Sequence, residues 1–560
     1  MNKKMIGVFL GTAVAAFLII FFVLNRTEDY GKTTKEITQE DAAENLKKVL
    51  KDISVTKLPA RKANVSLETV DLKEELPGID KYPLSVTGTG EVNIEIFSSS
   101  EKAGQGNDGW LNEMAEEFNA SGAVVDGQTA SVSVRPISSG EGADYIISGK
   151  YLPEAYTPSN ELWGALILAQ GGKVDLAQKR LVGNVAGILL SKDMQSEIVS
   201  EYGAVNMKTV TKATAENKIA MGYTNPLTSA TGMNFLISTL NAYDAKDILS
   251  DVAENGFQQF QNNVPFVAFT TLQMRESAKS GSLTGMVSEY QIYQNDSDLK
   301  ADYKFTPFGI RHDNPVYSVG KLSKEKKQVL DAFLRLCASE EAQKKAAEYG
   351  FNGMEDYKSE LPEYDGTEIL AAQKLWKENK DFGRPIAAVF VADVSGSMGG
   401  EPLNQLKTSL INGAQYIGKD NYIGLVSYDS EIYINLPIKK FDLNQRSLFT
   451  GAVQDLQEGG STASFDGLAV GLDMLLKAKE ETPDAKLMMF LLSDGETNCG
   501  HDLGEVSDII KAYKIPIYTI GYNANIEALE TISQINEAAN INADSDDVIY
   551  KLKNLFNAQM

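Results

Sequence analysis

Ile386-Ala-Ala-Val-Phe-Val-Ala392 runs without a break into Asp393-Val-Ser-Gly-Ser-Met398. An apolar run of that length reads as a strand buried on both faces, and such strands belong to parallel sheets covered by helices. The turn that follows holds an acid, two hydroxyls and a glycine. Asp393, Ser395 and Ser397 alternate, so a bending backbone aims all three side chains into one space, with Gly396 supplying the freedom to bend. Oxygen donors of this kind suit Mg²⁺ or Mn²⁺ far better than soft metals.

Downstream the alternation of strand and helix is strong. Leu403, Leu406, Leu410, Ile411, Ala414 and Ile417 keep helical spacing behind Pro402, which suits a first-turn position. Tyr422–Tyr428 is the next strand, and Ile432–Leu436 alternates as an antiparallel edge strand would. Helices are predicted near Gln445–Leu456 and Phe465–Leu476, strands at Leu487–Leu492 and Ile515–Ile520, the latter the last, and a closing helix at Ser545–Phe556 with Ser545 as its cap. Buried strands alternating with helices give a doubly wound α/β fold with a mixed, mostly parallel sheet over 385–560.

Two further loops complete the pattern. Gly459-Gly-Ser-Thr462 precedes a helix, and Ser493-Asp494-Gly495 follows a buried strand. Ligand sites in open α/β sheets form outside the carboxyl ends of the strands, so Asp393, Thr462 and Asp494 are expected to converge. Asp393-x-Ser395-x-Ser397, Thr462 and Asp494 resemble the metal-ion-dependent adhesion site of von Willebrand factor type A (VWA) domains. The resemblance implies that Ser395, Ser397 and Thr462 reach Mg²⁺ (or Mn²⁺ or Ca²⁺) directly, that Asp393 and Asp494 act largely through water or hydrogen bonds, and that an open position awaits an acidic group of a protein partner. Glu496 reads as a solvated rim residue.

Before this domain the chain has a different arrangement of short strands and helices. Val92–Phe97 leads into Ser98-Ser-Ser100, Trp110–Phe118 continues as an amphipathic helix, and Val132–Pro136 ends in Ile137-Ser-Ser-Gly140. Lys218–Met221 enters the loop Gly222–Gly232, followed by a helix at Met233–Leu240. Helix N-termini favour anions and polar groups, which makes Ser98, Ser99, Ser138, Ser139, Thr224, Asn225, Thr228 and Ser229 candidates for a solute pocket. Residues 91–353 resemble bacterial extracellular solute-binding proteins, nearest the molybdate and sulfate binders, through the Ser98–Ser100 loop, Ser138–Gly149, Tyr223–Ser229 and the tail around Leu322–Phe351. That resemblance implies a two-lobed, periplasmic-binding-protein-like domain clamping a small polar or anionic solute.

The ends and joints carry less chemistry. Lys3 and Lys4 precede Met5–Leu24, a stretch without charge that is long enough to span a bilayer as a helix, and the lysines favour an N-terminus in the cytoplasm. Residues 1–26 are therefore expected to be a membrane anchor, single-pass, with the bulk of the chain extracellular or periplasmic. Residues 27–90 read as a stalk or small packing module whose helix starts at Thr38. Residues 354–384 read as a linker.

Composition sets limits. The chain has 560 residues, with 53 basic against 76 acidic side chains and a net charge of −23, which argues against nucleic acid and anionic lipid surfaces as partners. Cys337 and Cys499 sit in different domains and make no disulfide framework. Cys499 with nearby His501 falls short of a structural zinc set. With His312 and His501 the only histidines, and no nucleophile-elbow, zincin or phosphate-loop motif, no catalytic set is expected. The reading is a membrane-anchored extracellular binding protein; the alternative is a substrate-binding accessory of a membrane transport system.

Overall fold

Ile386–Asp393 is buried along its whole length because it lies at the centre of a seven-stranded sheet. It pairs in parallel with Tyr422–Tyr428 on one side and Lys486–Ser493 on the other. Ile517–Tyr522 and Asn540–Ala543 extend the parallel run. The structure is a computed structural model and describes residues 37–65, 72–264, 266–268, 274, 283–381, 384–495, 497–522, 540–543 and 548–560. Among these no helix is long and apolar enough to cross a membrane; the span expected at 5–24 lies outside them, as do Glu496 and Ser545.

Side chains of a strand alternate between faces, and both faces of this sheet are covered. Phe390 stacks on Phe490, ring centroids 4.9 Å apart, beneath helices Glu401–Gly413, Leu443–Gln454 and Val548–Gln559. Val389, Val391 and Leu491 pack on the opposite side under Ser464–Glu481 and Leu503–Tyr513. Burying each such side chain is worth roughly 1.5–3 kcal/mol.

Three details differ from the sequence reading. Ile432–Lys440 is antiparallel to Tyr422–Tyr428 as expected, yet it is not the edge, because Val55–Lys57 pairs outside it in parallel. A further strand, Asn540–Ala543, follows Ile517–Tyr522. The described part of 27–90 is divided between the two large domains. Thr38 caps helix Gln39–Asp52 by accepting from Asp41 N–H, and that helix buries Ala42, Leu46 and Val49 in the same cluster as Val389 and Val391. Residues 76–82 instead join the middle domain, where Tyr145 donates to Pro77 O at 2.9 Å and Arg135 to Ile79 O at 3.0 Å.

The middle domain has two lobes, each with its own sheet. The first orders its strands Val124–Val125, Gln128–Pro136, Val92–Ser98, Ala155–Thr157, Val316–Val319, Val174–Gln178; the second orders them Tyr303–His312, Asn184–Ser191, Gly285–Glu289, Met221–Thr224, Phe266–Ala268. The chain crosses between them at 179–183 and 313–315.

The linker expected at 354–384 contains helix Gly366–Asn379, and this helix belongs to the middle domain. Its first residue lies against the first-lobe helix Leu162–Ala169 so closely that a Cβ on Gly366 would come within 2.1 Å of Ala165 O. On the other lobe Trp376 donates to the Tyr223 hydroxyl at 2.7 Å, Gln373 to Pro226 O at 2.9 Å and Asn379 to Glu254 at 3.0 Å. One helix thus ties both lobes together.

The last helix of the C-terminal domain also touches the first lobe. Tyr550 is fully buried and donates to Asp144 at 2.7 Å, while Lys553 and the Tyr416 hydroxyl both bond Glu75.

Candidate metal centre and solute cleft

The strand order reverses at Ile386–Asp393: the chain moves next to Tyr422–Tyr428 on one side and returns at Lys486–Ser493 on the other. A crevice opens at the carboxyl ends of strands where such a reversal occurs. Asp393 and Ser493 end those two neighbouring strands, and their loops face each other there.

The five expected metal residues are gathered unevenly. Ser397 Oγ–H donates to Asp494 Oδ1 at 3.1 Å, and the Ser395 and Ser397 hydroxyls lie 3.1 Å apart. Each hydroxyl has one proton, so with that of Ser397 on Asp494 the bond between the serines is donated by Ser395, leaving oxygen lone pairs free. Asp393, fully buried, accepts from Ser395 N–H at 2.8 Å and from Ser493 Oγ–H at 2.6 Å. Thr462 is drawn in through its backbone: its N–H donates to Asn498 Oδ1 at 2.8 Å, and its carbonyl accepts from Asn498 and Cys499. Its loop is stitched to the first by Gly396 N–H to Gly460 O at 3.1 Å and Gly459 N–H to Val394 O at 2.8 Å. Gly460 has φ +63, and a side chain there would meet Ser430 and Asp429.

The residues present fit a hard cation. Burial pushes the Asp393 carboxyl up against the donors Ser493 and Ser395, and the nearby Asp494 charge pushes the same way. Residues 393–400, 428–431, 457–463 and 493–501 contain no lysine or arginine, so a divalent ion would supply the missing countercharge. Among the described residues no group of three or more His, Cys, Asp or Glu side chains could hold a metal; this set relies on hydroxyls and two acids. His501 pairs with Asp466 at 2.6 Å. Ser493 and Asn498, which orient Asp393 and Thr462, were missed as functional residues because each looks like an ordinary loop polar group.

The second site lies between the lobes. A cavity of about 30 Å³, measured as space open to the centres of water-sized molecules, is lined by Ser99, Ser138, Ser139, Thr228 and Ser229 of the expected set, together with Ser100, Glu101, Ser159, Ala230, Thr231 and Glu289. Three expected residues do not line it. Ser98 is buried and donates to Ser99 O; Thr224 belongs to strand Met221–Thr224 and bonds Ser229 at 2.9 Å; Asn225 accepts from Leu227 N–H at 2.9 Å. The strand runs three residues further than its apolar pattern suggested, and helix Ala230–Tyr243 starts three residues earlier, capped by Ser229. The lobes touch: Gly140 N–H donates to Thr228 O at 2.9 Å, and a Cβ at Gly140 would lie 2.4 Å from Leu227 O.

Comparison with known proteins agrees with this architecture. Residues 388–558 match the family model "von Willebrand factor type A domain", and residues 103–352 match "Bacterial extracellular solute-binding protein". Among curated proteins, inter-alpha-trypsin inhibitor heavy chain H3 of Bos taurus is 30% identical over 177 residues, 29% of this chain and 20% of that protein; the Homo sapiens heavy chain H3 is 28% identical over the same shares. The chain spans about a fifth of the length of these relatives. Among solved structures, a periplasmic thiamin binding protein aligns over 53% of this chain and 99% of its own, at 13% identity and TM-score 0.38. A von Willebrand factor type A protein from Catenulispora acidiphila aligns over 31% and 42%, at 16% identity and TM-score 0.28.

Proposed function

We propose that this chain, which joins a bacterial extracellular solute-binding domain to a VWA domain, is a membrane-anchored extracellular binding protein whose VWA domain grips an acidic group of a protein partner through a divalent cation. The observation that carries this reading is the hydrogen-bonded row Ser395, Ser397, Asp494, with Asp393 locked behind it. Ser395, Ser397 and Thr462 would hold Mg²⁺ (or Mn²⁺ or Ca²⁺), with Asp393 and Asp494 orienting the set. The ion, when bound, supplies a positive centre to which a carboxylate adds as a ligand. Ser397 is exposed whereas Ser395 and Asp393 are buried, so one side of the set faces outward.

The middle domain holds a small solute between its lobes. The alternative, delivery of that solute to a transporter, requires the cleft to open in each cycle. Helix Gly366–Asn379, packed on the first lobe and hydrogen-bonded to the second, counts against such cycling and in favour of a rigid middle domain.

The test immobilises the chain and presents cell-surface proteins in Mg²⁺, in chelator, and to Asp393→Ala. A partner retained in Mg²⁺ and lost in the other two conditions is expected. Partners that bind equally in chelator contradict the reading.

A further inference from the structure

We infer that the cleft of the middle domain takes a small solute bearing a positive charge and hydrogen-bond donors, such as an organic ammonium compound, and rejects oxyanions. This rests on the reading that the domain binds a solute at all, and it follows from a count of charges and protons.

Two carboxylates line the cavity from opposite lobes, Glu101 from the first and Glu289 from the second; both are more than nine-tenths buried. Glu289 accepts from His312 Nδ1 at 2.7 Å, from Asn184 at 2.9 Å and from the Thr231 hydroxyl. Three donors thus converge on this one carboxylate. Glu101 accepts from Ser99 at 2.7 Å and from Ser159. Burial opposes its charge, but Lys102 and these hydroxyls outweigh burial and hold it below the usual range.

His312 does not offset this charge. Its Nε2 faces the side-chain amide nitrogens of Asn160 and Asn234, each at 3.1 Å. Both amides are oriented independently, since Asn234 also spans Ile310 N–H and C=O and Asn160 spans Leu162 N–H and Ala230 O. An Nε2 that receives two N–H groups carries no proton, so the ring is neutral and its Nδ1–H points at Glu289. Lys102, fully buried, is the one cation among the described residues that both carboxylates feel. With it charged, the set carries one net negative charge; burial lowers its affinity for the proton, which only adds to the deficit.

The hydroxyls point the same way. Ser99 and Ser159 spend their protons on Glu101, Thr231 on Glu289 and Ser138 on Glu141. Ser99 also accepts from the Lys102 ammonium, so the lone pairs these hydroxyls leave to a solute, which recognise donors, are those of Ser159, Thr231 and Ser138. A sulfate- or molybdate-like ion would face two buried carboxylates. An ammonium with N–H groups would neutralise them and donate to the remaining lone pairs.

Calorimetry on the full chain decides this, with ethanolamine heading a panel of small ammonium compounds and sulfate and molybdate as the opposing arm. Saturable binding of an ammonium compound is expected, weakened about tenfold or more by Glu289→Gln and by Glu101→Gln, with no saturable binding of either oxyanion. Saturable sulfate or molybdate without any amine would overturn the charge assignment and leave solute binding standing. No saturable binding in either arm, with circular dichroism showing a folded chain, would overturn both.

Discussion

The hydroxyl of Ser397 donates to the carboxylate of Asp494 at 3.1 Å although the two residues are 97 positions apart. Their strands make this possible, since Ala392 and Leu492 are direct partners in the parallel ladder and the loops after them leave the sheet side by side. Ser397→Ala removes one oxygen from the proposed ligand set and leaves the sheet alone. Calorimetric titration with Mg²⁺ is expected to show affinity reduced about tenfold or more, roughly 1.4 kcal/mol, with unchanged stability in chelator. Undiminished affinity would remove Ser397 from the set.

Helix Gly366–Asn379 gives a second expectation. Trp376 is fully buried and hydrogen-bonded to Tyr223, so Trp376→Ala leaves a large cavity between the helix and the second lobe. A loss of about 3–5 kcal/mol is expected for such a truncation, read as a lower urea midpoint of the middle domain. A change below about 1 kcal/mol would show that the helix does not bind the lobes together.

The contact between domains is sensitive to pH. Burial raises the Asp144 carboxyl from 3.8 to about 6, with Tyr550 and Lys553 pulling it back only in part. A raised acid binds its proton more tightly in the folded chain, so between these two values folding takes up a proton and stability falls as pH rises. Below about 4 both states are protonated and the penalty is absent; above about 6 it is complete. Asp144→Asn should therefore be more stable than the parent at pH 7, by about 1–2 kcal/mol given the partial exposure of the residue. The two chains should converge toward pH 4, as read by urea unfolding across that range. A constant difference at all pH values would contradict the assignment.

Much of the C-terminal domain was legible because its strands are apolar on both faces and its loops are short. Ile386–Ala392, Tyr422–Tyr428 and Leu487–Leu492 each stand out as buried runs, and Asp393, Thr462 and Asp494 fall at the ends or turns where a doubly wound sheet puts ligands. Val55–Lys57 was not legible: three residues with exposed side chains join the sheet only through backbone hydrogen bonds. Helix Gly366–Asn379 looked like a charged linker because Trp376 and Ile369 are spaced among lysines and glutamates, and nothing local shows that two lobes meet there. In the cleft the serines were found and the acids were not. Glu101 precedes a lysine and reads as a solvated pair, whereas folding buries both; Glu289 ends a strand and is paired with His312, 23 residues on.

The most direct test of the central claim is titration of Mg²⁺ or Mn²⁺ into the full chain and into Asp393→Ala, followed by calorimetry. The account predicts saturable binding by the parent chain that is lost in the variant, with both chains folded. Absence of saturable binding by the parent, or equal binding by Asp393→Ala, would contradict it.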